Sequence, residues 1–269
     1  MLDQLPSHRK LVDTHLGQMH VRIVGEGDGT PLLLLHTQLI GGRLYDDAVP
    51  LLAAGRTLVI PDRIGYGMSD PAQRPHSFEE YAQATVEVLD ALGIAQVDAV
   101  GVHSGGIEVV ELAVAHAARV RRASVITLAL FTPEEVAFFS ENYAVPPPAP
   151  TEESGQLLFF WGWWKGIQPE GVGLDTLQDW TVEALRAAPN FWWTFKAAFA
   201  YPMAEQLPRV TQPFQVMAPH DDLWTQMQRA IEILPQQAEL IDLPHVTNPM
   251  GIFTTHREEV CANIRRFLA

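Results

Sequence analysis

Residues 97 to 106 read V-D-A-V-G-V-H-S-G-G, an apolar run that enters a glycine-flanked turn and then a helix. A sharp strand-to-helix turn of the form small-x-nucleophile-x-small holds its apex residue in a strained conformation and exposes it, which suits a group that must attack or take up a proton. Gly101 and Gly105 place that apex at His103. Centring the turn on Ser104 would put Val102 at a crowded position where a β-branched side chain fits poorly, although a strand bulge would restore the serine. Two chemistries stay open: a hydroxyl nucleophile at Ser104, or an imidazole at His103 that attacks or moves a proton near neutral pH.

The elements around this turn alternate. Leu11 to Gly25 reads as a hairpin turning at Gly17-Gln18, with Met19, Val21 and Ile23 at a period of two. Pro31 to His36 and Thr57 to Pro61 are continuous apolar runs, the pattern of strands covered on both faces of a parallel sheet. Ser77 and Glu80 form a capping box for a helix from about Phe78 to Leu92, stopped by Gly93. Further strands are expected at Val97 to Val102, Ala123 to Leu130, Phe214 to Met217 and Glu239 to Leu243, with helices at Gly105 to Ala117 and at the C-terminus to Leu268. Alternation of this kind means a parallel sheet with helices on both faces.

The pattern stops between about Phe131 and Leu207. That stretch holds the proline run Pro146 to Pro148 and six of the seven tryptophans. A helical cap at 131–207, inserted into a core of 1–130 and 208–269, is the expected organisation. Its aromatic side chains, Trp161, Trp164 and Trp192 among them, together with His36 at a strand end, are candidates for the wall of an apolar pocket, and His36 also for fixing its loop by hydrogen bonds.

Composition narrows the partners. Hydrophobic residues at 47% and charged ones at 19% permit a sizeable core, and a net charge of −14 argues against nucleic acid or an anionic membrane surface. A small apolar molecule is the expected ligand, with the chain a monomer or homodimer. Cys261 is the single cysteine, which excludes an internal disulfide. The first ten residues lack an apolar leader region, so a soluble, cytoplasmic protein is expected. The histidines show no H-x-x-x-H or H-E-x-x-H spacing and no G-x-G-x-x-G follows a strand, so no metal, nucleotide or flavin is expected.

Four segments together, L-L-L-L-H-T at 32–37, D-R-I-G-Y-G-M-S-D-P at 62–71, A-L-G-I-A-Q-V-D-A-V-G-V-H-S-G-G at 91–106 and A-P-H-D-D at 218–222, resemble the α/β-hydrolase fold family over nearly the whole chain. The resemblance implies a mostly parallel eight-stranded sheet with an inserted helical cap, and a cofactor-independent hydrolase of esters, lactones or activated C–C bonds. It places the oxyanion-hole amides at Thr37 or Gln38 and at Ser104, and the acid at Asp222, with Asp221 the alternative. The ungapped match puts His103 where the family has serine. The family's histidine position, four residues past Pro244, falls on Asn248, leaving His245 as the histidine of that loop. Glu108, in the helix after the turn, reads as a partly exposed carboxylate. Alternatives to hydrolysis are a lyase, isomerase or decarboxylase with His103 as base, and a binding protein without catalysis.

Overall fold

In the computed structural model, which describes residues 5–188 and 190–269, the opening alternation forms β1 (Ser7–Thr14) and β2 (Gly17–Val24), an antiparallel pair. Met19, Val21 and Ile23 of β2 point to the core, as the period of two requires. The apolar runs become β3 (Gly29–Leu35), β4 (Arg56–Pro61), β5 (Val97–Val102), β6 (Val120–Ile126), β7 (Phe214–Pro219) and β8 (Ala238–Leu243). They lie in the order β1-β2-β4-β3-β5-β6-β7-β8, parallel from β4 to β8. The expected eight-stranded, mostly parallel sheet is present.

Alternation along each buried strand divides the core in two. Leu33 and Leu35 face one side with α2 (Phe78–Ala91) and α3 (Ser104–Ala115), while Leu32 and Leu34 face the other with α1 (Val49–Leu52) and α11 (Arg257–Leu268). Each fully buried leucine contributes about 1.5–3 kcal/mol, so the strands are held chiefly by this burial. The capping box of α2 is formed, with Ser77 accepting from the Glu80 amide and the Glu80 carboxylate accepting from the Ser77 amide.

Strand β6 departs from expectation: it begins at Val120, three residues early, and ends at Ile126 rather than Leu130. Arg121 and Arg122 disguise its start, since Arg121 is satisfied by Asp98 and Arg122 by the Phe267 carbonyl. Thr127, at φ 59, ends it. Between β6 and β7 come α4 (Pro133–Asn142), α5 (Gly155–Gly166), α6 (Leu174–Ala187), α7 (Trp192–Ala200) and α8 (Met203–Gln206). Helix α9 (Trp224–Glu232) follows β7, and α10 (Ile252–Thr255) precedes α11. Among the described residues no helix is long and apolar enough to cross a membrane.

Candidate active site

The chain leaves β5 at Val102 and enters α3 at Ser104, and the residue between them, His103, has φ 49 and ψ −114. Such a backbone costs a non-glycine residue about 1–3 kcal/mol and persists only where its surroundings dictate it. Two glycines do so here. A Cβ at Gly101 would lie 2.2 Å from the Gly105 carbonyl oxygen, and one at Gly105 would lie 2.1 Å from the Leu35 oxygen. The His103 amide donates to the Ile126 carbonyl at 3.0 Å, and its own carbonyl accepts from Ile107 at 3.1 Å, tying the turn to both β6 and α3.

The imidazole, 16% exposed, lines a cavity of about 420 Å³ between the sheet and the cap helices. That volume lies in the range of small-molecule sites. Its walls are mostly apolar, from Ile107, Phe131, Phe139, Trp163, Trp164 and Phe199. Of the three tryptophans proposed for it, Trp164 lines this cavity and Trp161 and Trp192 do not. Both pack half-buried against the core, because their helices turn Trp163 and Trp164, or Phe195, toward the cavity instead.

Asp221, two residues past β7, brings its buried Oδ2 to 3.7 Å from His103 Nε2. Asp221 is fixed from two sides, accepting from Thr127 Oγ1 at 3.1 Å and from the Leu223 amide at 2.9 Å. Burial raises the pKa of its carboxyl above the ordinary value, partly offset by the charge of His103 and by these hydrogen bonds. Asp222, preferred from the sequence, is exposed and lines the cavity, so the carboxylate nearest the histidine is its neighbour.

Ser104 is buried at the first position of α3, and its hydroxyl lies 3.4 Å from Arg63 Nη1, beneath the turn. Thr37 and Gln38 stand on the loop after β3 and line the same cavity as His103 and Ser104. The backbone amides of Gln38 and Ser104 make no hydrogen bond within the chain among the described residues. Leu39, next in the loop, has φ 70.

His245 is not brought to the cavity. Its Nε2 lies 2.8 Å from Glu259 Oε2 and its ring packs edge-on against His256 at the protein surface. The loop instead offers Thr247 to Met250 to the wall, and Asn248 is held there by donating to the Ile167 carbonyl and accepting from the Met250 amide. His36 is also absent from the wall. Its Nε2 accepts from the Arg63 amide at 2.9 Å, which leaves Nδ1 protonated to donate to the Thr37 carbonyl at 2.6 Å. Burial, reinforced by the charge of Arg63, holds the His36 pKa down to about 4.

Under the turn lies a buried network that the sequence does not announce. Arg63 Nε and Nη2 donate to Glu108 Oε2 at 3.0 and 2.8 Å, and Thr85 Oγ1 donates to Glu108 Oε1 at 2.7 Å. Glu108 is thus fully covered rather than partly exposed. The guanidinium carbon sits 5.2 to 5.9 Å from the rings of Tyr66, Phe78 and Tyr81. Arg63 Nη2 also reaches the His36 carbonyl at 3.3 Å, so one cation braces the ends of β3 and β4 and the start of α3.

Residues 30–199 match the family described as alpha/beta hydrolase fold. The chain belongs to this family. Within the α/β-hydrolase fold family it is 37% identical over 100 residues to a 2-hydroxymuconate semialdehyde hydrolase of Pseudomonas sp. (strain CF600), covering 36% of this chain and 35% of that one. It is 32% identical over 117 residues to haloalkane dehalogenase 2 of Mycobacterium tuberculosis, covering 43% of this chain and 40% of that one. The chain therefore spans well under half the length of these curated relatives. Among solved α/β-hydrolase structures, a hydrolase from Pseudomonas aeruginosa PA01 superposes with a TM-score of 0.82 at 20% identity, over 97% of this chain and 98% of the other. That likeness is one of fold.

Proposed function

We propose that the cavity beneath the cap hydrolyses a small, largely apolar ester, lactone or activated C–C bond substrate, with His103 as the reacting imidazole and Asp221 as the carboxylate that orients it. The observation that carries this reading is the 3.7 Å approach of Asp221 Oδ2 to His103 Nε2 at a strained turn that opens into an apolar cavity.

A proton on Nε2, directed at Asp221, leaves the Nδ1 lone pair of His103 free to react. That nitrogen attacks the acyl carbon, or takes a proton from a water that does so, and the imidazolium that results is stabilised by the Asp221 charge. The amides of Gln38 and Ser104 supply the donors for the developing oxyanion, and the helix α3 terminus adds its positive end. In the first route the adduct collapses with cleavage of the acyl–X bond, X leaving as HX with a proton from the incoming water, and the hydroxide so formed cleaves the acyl-imidazole to the carboxylic acid and neutral His103; in the second, the imidazolium returns its proton to X as the acyl–X bond breaks. The names of the relatives, a 2-hydroxymuconate semialdehyde hydrolase and a haloalkane dehalogenase, support a small organic substrate.

A second reading, proton transfer in a lyase, isomerase or decarboxylase, is favoured by the approach of Asp221 to His103 within ion-pair range, which requires no hydroxyl. Turnover of p-nitrophenyl acyl esters by the parent chain, H103A, S104A and D221N tests hydrolysis. Removing a positioned base costs about 10²–10⁴-fold, so H103A loses activity on that scale, D221N falls substantially and S104A stays within a few-fold. Loss in S104A alone would overturn the assignment to His103. No turnover of any ester by the parent chain would overturn hydrolysis and leave the proton-transfer reading or a ligand cup.

A further inference from the structure

His245 is drawn out of the cavity toward a second cluster, on the far side of its loop. Its partners are His256, which precedes α11, and Glu259 in the first turn of that helix. One ligand atom from each of the three lies within 4.8 Å of the other two. Two borderline imidazoles with one hard carboxylate form a donor set that zinc accepts, and three protein ligands leave a coordination position for water.

We propose that His245, His256 and Glu259 form a surface site for a divalent transition cation, zinc fitting best, that clamps the loop after β8 to helix α11. Tetrahedral ligands at zinc bond lengths stand roughly 3.4 Å apart. The present 2.8 Å between His245 Nε2 and Glu259 Oε2 needs only a small opening, and both side chains are about half exposed and free to make it. The positive end of α11 opposes a cation, and the Glu259 carboxylate offsets it.

The clamp has a consequence for the cavity. His245 is two residues from Thr247, where the wall segment Thr247 to Met250 begins, and Val246 between them is fully buried. Fixing His245 to α11 therefore restrains one end of a short segment whose other end lines the cavity. This inference does not depend on which reaction the cavity performs, and its test reads metal directly.

Isothermal titration of the full chain with ZnCl2 in chelator-free buffer is expected to give one saturable site per chain. H245A, H256A and E259Q should each weaken it at least about tenfold, since even outer-shell partners of metal sites are worth about 10–100-fold, while H220A leaves it unchanged. Hydrogen exchange of the amides of Val246, Thr247, Asn248 and Met250 should slow on adding ZnCl2 to the parent chain and not to H245A. No saturable binding, or binding that survives in the H245A/H256A double variant, would overturn the site. Binding without slower exchange would overturn the clamp.

Discussion

A histidine held at φ 49 is strained, and the three residues that fix it are not themselves polar: Gly101 and Gly105 clear space for the turn, and Ile126 accepts the His103 amide. The position of this side chain thus rests on backbone geometry, with Asp221 the only carboxylate in ion-pair range of the imidazole among the described residues. His36 illustrates the opposite case, a histidine whose polarity is spent on structure. Its folded pKa, about 4, lies below the usual imidazole value of about 6.5, so between these values the unfolded chain binds the extra proton. Stability contributed by neutral His36 is complete above about pH 6.5 and is lost as the pH falls toward 4, by up to about 3 kcal/mol. Urea unfolding of the parent chain and H36Q at steps from pH 7 to pH 4 checks this. The parent should lose more stability than the variant across that window; parallel curves would refute it.

At the scale of elements, the approach of β5, α3 and β3 around the turn admits no side chain at Gly105. Its Cβ would meet the backbone oxygen of Leu35, not a flexible side-chain end, so a strand or helix would have to move. Gly105→Ala should therefore destabilise the chain by several kcal/mol, on the order of an overpacked core, and thermal melting against Gly162→Ala, where open space surrounds the added methyl, isolates the effect. Equal melting temperatures would contradict the close packing. This crowding is also why the turn was legible in the sequence: a glycine pair bracketing His103 marks a backbone constraint, and constraints of that kind are local. The sheet was legible for a similar reason, since uninterrupted apolar runs report burial on both faces. What escaped is non-local. Glu108 reads as an ordinary helix carboxylate until β4 delivers Arg63 to it, and Asp221 and Asp222 differ only in how the turn after β7 points them. His245 lies in the expected loop, but the loop's course sends Asn248 to the wall and His245 to Glu259.

Across the whole molecule, a net charge of −14 repels itself, and the cap adds to the strain by burying one carboxylate against the core. Glu183 of α6 sits beside the loops that carry Gly41 and Asp62. Burial raises its pKa, the charge of Asp62 raises it further, and Arg186 and Arg43 only partly compensate. The sign follows from proton uptake: with the folded pKa above the unfolded one, the folded chain holds the proton longer, so stability falls as the pH rises through that interval. Glu183→Gln keeps the shape and removes the ionisation. It should raise the melting temperature at pH 7, with the gain shrinking as the pH drops below about 4, where the carboxyl is protonated in both states. Relief of overall repulsion would act in any charge-removing variant, so Glu153→Gln, at an exposed cap position, supplies the comparison. A gain in E183Q that matches E153Q at every pH would assign the effect to net charge. A larger, pH-dependent gain in E183Q would assign it to the seam between cap and sheet, which closes over the cavity against an electrostatic cost that one amide removes.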